Sequence, residues 1–180
     1  MNEYLQIFIT AIVSGSVISA VLGIIFHRRG KAIEADIRRQ VEQSLAIFQS
    51  KRAWKESAIS ELLGPIRMQL DRTERAFGRW KDKNLYLESK IIREGNLIIR
   101  DLLLNKGHLI PPELLDDAGL LIEHYDRWLE EFEKRRVEQK PGDDTPFVFV
   151  GPDGFPFPRI SAKKFQSTFE KFWSDLYSTS

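Results

Sequence analysis

Four cations at helical spacing carry the strongest chemical suggestion in this sequence. Arg72, Arg75, Arg79 and Lys83 fall on neighbouring turns, Lys90 and Arg93 continue the line, and Phe77, Trp80 and Tyr86 are interleaved. A guanidinium binds phosphate oxygens bidentately, and an aromatic face gives a base a surface to stack on. The stripe is therefore a candidate site for a phosphate, a nucleotide or an oligonucleotide. Asp71, Glu74, Asp82 and Glu88 lie among the cations, so the same stretch also reads as a solvated, salt-bridged face.

Catalytic chemistry has less to stand on. The chain has no cysteine to act as nucleophile or metal ligand, no glycine-rich phosphate loop, no H-E-x-x-H and no G-x-S-x-G. Its three histidines, His27, His108 and His124, are too scattered to suggest a metal site. His124, between Glu123 and Asp126 and four residues before Trp128, reads as a packing or surface residue. The expectation is a protein that is not an enzyme and has no cofactor. A net charge of +1 argues against a general nucleic-acid binder.

The elements that must position these residues begin with an uncharged run, Tyr4 to Phe26. As a helix it would extend roughly 35 Å, enough for a bilayer core of about 30 Å. Basic residues follow it (Arg28, Arg29, Lys31) and none precedes it. That asymmetry predicts a single-pass transmembrane helix in the inner (cell) membrane, with the N-terminus out and the rest cytoplasmic. Ala11, Gly15, Ser19 and Gly23 recur every four residues as a small-residue ridge for helix packing. Gln6, Thr10 and Ser14 form a more polar line that could face a pore. Residues 1–3 would then be an extracytoplasmic tip, 4–26 the transmembrane helix, 27–50 a juxtamembrane stalk and 51–180 a cytoplasmic helical domain.

In the stalk, Ile33, Ile37, Val41, Leu45 and Phe48 share one stripe, suited to oligomer contacts, to packing on the chain's own domain or to a bilayer surface. Gly64-Pro65 predicts a kink or short break. The next helix has Ile66, Leu70, Thr73, Phe77 and Trp80 inward; it either stops near Asn84 or runs on to about Leu104. Asn105-Lys106-Gly107 predicts a C-terminal cap, and Pro112 the start of an acidic amphipathic helix reaching about Arg136. The basic and acidic helices, packed together, would compensate one another's charge. Phe147–Val150, the turn Gly151-Pro152-Asp153-Gly154 and the return Phe155–Phe157 predict a β-hairpin. Ser161 is the expected cap of a last helix with Phe165, Phe169, Phe172, Trp173 and Leu176 on its apolar face. The fold expected is thus mainly α: one transmembrane helix, an amphipathic stalk and a helical domain with a short hairpin before the last helix.

One N-terminal membrane helix, a basic flank and a domain without catalytic motifs resemble the small membrane effectors of bacterial anti-phage defence. The stretches LLGPIRMQLDRTERAFGRW, NLYLESKIIREGNLIIRDLLL, KGHLIPPELL, IEHYDRWLEEFE and TPFVFVGPDGFPFP resemble the soluble domain of the Hailong-type effector. The resemblance implies a homo-oligomeric, ion-channel-like or membrane-disrupting effector. Control would come from an oligonucleotide made by a partner nucleotidyltransferase. The alternative expectation is a membrane-anchored scaffold or adaptor that binds a protein partner and conducts nothing.

Overall fold

Helix α1 runs without interruption from Glu3 to Ser57, 55 residues, in the computed structural model. The structure describes residues 3–79, 85–139 and 156–178, and within α1 the side chains of 19, 22, 23, 26–31 and 33 onward. The chain divides into two units, Met1–Lys51 and Arg52–Ser180. In the first, charged residues spaced by four support the helix locally. Arg38 Nε donates to Glu42 at 2.9 Å and Gln40 Nε2 to Asp36 at 3.3 Å. Each such contact contributes only a few tenths of a kcal/mol.

The expected membrane span is corrected by the structure. Among the described residues no helix is long and apolar enough to cross a membrane. From Arg28 to Arg39 the helix carries Arg28, Arg29, Lys31, Glu34, Asp36, Arg38 and Arg39 within about three turns. That charge ends the apolar run at Phe26. The transmembrane, single-pass, inner-membrane and ion-channel assignments fall with the span. Of the residues assigned to its packing and pore, Gln6, Thr10, Ala11, Ser14 and Gly15 have side chains outside the described set. Ser19 and Gly23 are exposed, and a Cβ placed on Gly23 would meet nothing within 4 Å.

In the second unit, Gly64-Pro65 neither breaks nor ends the helix. The chain widens into a π-helical turn over Ala58–Leu63 and continues as α2, Gly64–Arg79. The Gly64 N–H reaches back five residues to the Ile59 carbonyl. A wider turn absorbs the register change at a proline that has no N–H to give. A Cβ at position 64 would lie 2.7 Å from that same carbonyl oxygen, so only glycine fits.

Residues 85–105 are helical, with a π-helical stretch Leu87–Arg93 leading into α3, Glu94–Asn105. The helix ends where its cap was expected, through Lys106 at φ −112° with its N–H on the Leu102 carbonyl at 2.9 Å. Two single 3-10 turns, Gly107–Leu109 and Pro112–Leu114, turn the chain into α4, Leu115–Phe132. A π-helical stretch Glu133–Glu138 extends it. Helix α5 is Arg159–Tyr177. Packing runs α2 on α3, α3 on α4, α4 on α5 and α5 back on α2.

These four helices enclose one core. Leu62, Leu63, Ile66, Ile99, Leu103, Leu121, Tyr125 and Phe165 are buried there, and Ala76, Ile92, Trp128 and Phe132 form a second, smaller cluster. The inner face of α2 differs from expectation: Ala76 is buried where Phe77 was expected, Phe77 is exposed, and Trp80 lies outside the described residues. On α5, Trp173 turns outward while Phe165 and Phe172 are buried.

Among the described residues there is no strand, which corrects the expected hairpin. Its first arm and its turn lie outside the described residues. The described end of the return, 156–157, is irregular chain that leads through Pro158 into α5. Ser161 is not the cap. It sits in the first turn of α5, buried, and its hydroxyl donates to Asp117 at 2.8 Å.

Candidate functional site

The basic stripe is placed by α2 and by the helical stretch 85–105. Arg72, Arg75 and Arg79 are exposed on α2, and Trp80 and Lys83 lie outside the described residues. Arg75 pairs with Asp71 at 2.9 Å and Arg72 donates to Gln69 at 3.4 Å, both along their own helix. Lys90 pairs with Glu94 at 3.6 Å. Arg93 is half-buried, its guanidinium 5.4 Å from the centre of the Phe132 ring. Tyr86 is exposed. Local carboxylates and an aromatic ring therefore occupy several of the cations proposed for a phosphate.

Compensation by the acidic helix occurs at Arg100, which reaches Asp126 at 3.5 Å. Two further carboxylates of the acidic helix pair along their own helix: Arg127 with Glu123 at 3.1 Å, and Arg135 with Glu131 at 2.7 Å.

Two buried carboxylates make ionic contacts that the sequence does not announce. Glu88 is 1% exposed and accepts both arms of the Arg136 guanidinium, Nη2 to Oε2 at 2.9 Å with Nε on Oε1. This bidentate pair joins the π-helical stretches 87–93 and 133–138 beside the Trp128–Phe132 cluster. The available signal was Glu88 itself, a carboxylate beside Leu87, Ile91 and Ile92 in a helical pattern. Asp117, also buried, accepts from Lys164 at 2.8 Å and from Ser161 at 2.8 Å. Burial pushes its carboxyl toward the neutral form, but the hydrogen bonds from Lys164 and Ser161 outweigh that and hold it below its ordinary value.

His124 belongs to an aromatic cluster. Its ring meets Tyr125 edge-on with centroids 5.5 Å apart and Phe157 at 5.2 Å. Burial raises the Tyr125 hydroxyl well above its ordinary range, so it stays neutral. Among the described residues no group of three His, Asp or Glu side chains is placed to hold a metal ion.

The largest unabsorbed feature lies on α1. Leu22, Phe26, Ile33, Ile37, Val41, Leu45 and Phe48 are 46–69% exposed. From Ile33 to Phe48 the stripe advances fifteen positions in four turns. That is about 3.75 residues per turn, on the straight-to-right-handed side of the α-helical period. Ridges of this kind normally lie against another helix. No protein-family model matches the chain, and neither a curated protein nor a solved structure matches it.

Proposed function

We propose that the protein is a scaffold or adaptor that binds protein partners through the apolar face of α1, with the 52–178 helical unit as its folded body. The observation that supports this reading is the exposure of Ile33, Ile37, Val41, Leu45 and Phe48, each more than half accessible. A monomer rarely leaves so long an apolar ridge in water unless it is an interaction surface. An amphipathic helix laid against apolar anchors one turn apart is a common mode of protein recognition. Three of the buried polar residues of the helical unit, Glu88, Asp117 and His124, contribute to its own packing. His124 packs among aromatic rings, and Asp117 and Glu88 hold buried structural contacts.

The test is site-specific photocrosslinking in the producing cell. A photoreactive residue at Val41 is expected to give covalent protein adducts, and one at Arg39, on the opposite face, is not. Adding Ile37→Glu should remove the Val41 adducts. Equal crosslinking from both faces, or none from Val41, would reject the reading.

A further inference from the structure

We infer that the partner on α1 is a second copy of this chain, paired parallel and in register; this rests on α1 being the docking element. Three observations converge on that occupant.

The first is area. Seven apolar side chains on the ridge are 46–69% exposed. Together they present on the order of 700 Å² per copy, close to the ~800 Å² each partner gives to a standard protein interface.

The second is charge. Arg29 and Glu34 are both exposed and five residues apart. At about 100° per residue they lie about 70° to either side of the line through Phe26, Ile33 and Ile37. In a parallel pair related by a two-fold axis, one flank of each helix faces the opposite flank of its partner. Arg29 of each copy therefore meets Glu34 of the other, and two-fold symmetry makes the contact twice. An antiparallel pair does not bring these two positions together. Such exposed pairs add little affinity but select register.

The third is period. Every member of the ridge is offered to the same side over 22–48, and its spacing of about 3.75 residues per turn keeps the seam facing a like helix that is straight or gently right-handed. A partner with the same period is required for the seam to stay in contact, and a second copy has it by construction.

The chain contains no cysteine, so one introduced thiol reports one position. On the purified full-length protein, sedimentation equilibrium at tens of micromolar is expected to give twice the chain mass of 20.9 kDa. Under mild oxidation Phe26→Cys and Phe48→Cys should each form a disulfide dimer with itself. When the two variants are mixed with different tags, no 26-to-48 product should form. Arg39→Cys should stay monomeric on denaturing gels.

Ile37→Glu and, as a milder change, Ile37→Gln should weaken association at least tenfold, with the thermal transition of the helical unit unchanged. A chain that sediments as a monomer, or cross-links 26 to 48, overturns the inference. If the monomer still gives Val41 adducts of other masses in cells, the adaptor reading survives its failure. A monomer with no adducts sinks both.

Discussion

Helices α1 and α4 carry the same kind of ridge and meet opposite fates. On α4, Ala118, Leu121, Tyr125, Trp128 and Phe132 are all buried against α3 and α5 or the smaller cluster. On α1, Ile33, Ile37, Val41, Leu45 and Phe48 are all exposed. Periodicity creates an apolar face in both. What differs is the cover: α4 packs on α3, joined to it by two short 3-10 turns, and on α5. The stability of α4 is thus intrachain, whereas that assigned to α1 is intermolecular and depends on concentration.

The largest effects should separate these two ridges. Phe165→Ala removes a ring that is 1% exposed in the core and should cost about 3–5 kcal/mol of unfolding free energy in denaturant. Phe48→Ala, at low protein concentration, should change the unfolding of the helical unit by less than about 0.5 kcal/mol. Equal losses would show that the α1 ridge is covered within the chain and would break the comparison.

A second contrast concerns ion pairs. Glu88→Ala removes the bidentate partner of the Arg136 guanidinium, an expected loss of about 3–5 kcal/mol. The double change Glu88→Leu with Arg136→Leu should recover much of it, because an apolar pair carries no desolvation cost. Glu42→Ala, which breaks the exposed pair with Arg38 on α1, should cost no more than about 0.5 kcal/mol. The measurement is urea unfolding of each variant. A Glu88→Ala protein as stable as the parent would mean the pair is solvated.

Apolar periodicity made much of the helical unit legible: the faces of α4 and α5, the stop at Asn105 and the proline at the start of the next helix all follow from local signals. Other features did not. Gly64-Pro65 carries a break signal, yet a π-helical turn costs the chain less than losing the contacts of Leu62, Leu63 and Ile66. Ser161 has the side chain of a cap, but tertiary contact with Asp117 claims its hydroxyl. The cation series 72–93 shows spacing but not partners, and Asp71, Glu94 and the Phe132 ring engage three of its members. The uncharged run 4–26 reads as a bilayer span from its length and from the basic residues that follow it. Helix α1 as folded joins that run to a densely charged continuation, and no described helix meets the requirements of a span. The α1 ridge was legible as amphipathic; the identity of what covers it was not, since pattern describes one surface only.

Glycines sharpen the comparison at smaller magnitude. Gly64→Ala would drive a methyl to 2.7 Å from the Ile59 carbonyl oxygen, and overpacking of that order should cost about 1–3 kcal/mol. Gly30 on α1 has nothing within 4 Å of an added Cβ. Gly30→Ala should therefore raise helix content and favour α1 by up to about 1 kcal/mol, read by circular dichroism. A loss at Gly30 in the dimer alone, absent at monomer dilution, would instead mark it as a point of close approach between copies.

The smallest expected effect is a pH dependence confined to the helical unit. Asp117 is held below its ordinary value by Lys164 and Ser161, against the opposing influence of burial. A carboxyl depressed in the folded state binds its proton less readily than in the unfolded chain. Its contribution is fully present above the unfolded value of about 3.9, declines as pH falls through the folded value and is absent below both. Asp117→Asn should therefore be less stable than the parent at neutral pH, and the difference should close below about pH 4. Glu61 and Asp175 are lowered too, by hydrogen bonds from Lys106 and Lys55, but they sit in solvent where salt screens the interaction. Repeating the titration in 1 M salt should thus erase their share and leave that of Asp117. A gap between Asp117→Asn and the parent that also vanished in salt would mean that Asp117 behaves as a surface group, and that α4 and α5 are not locked at that contact.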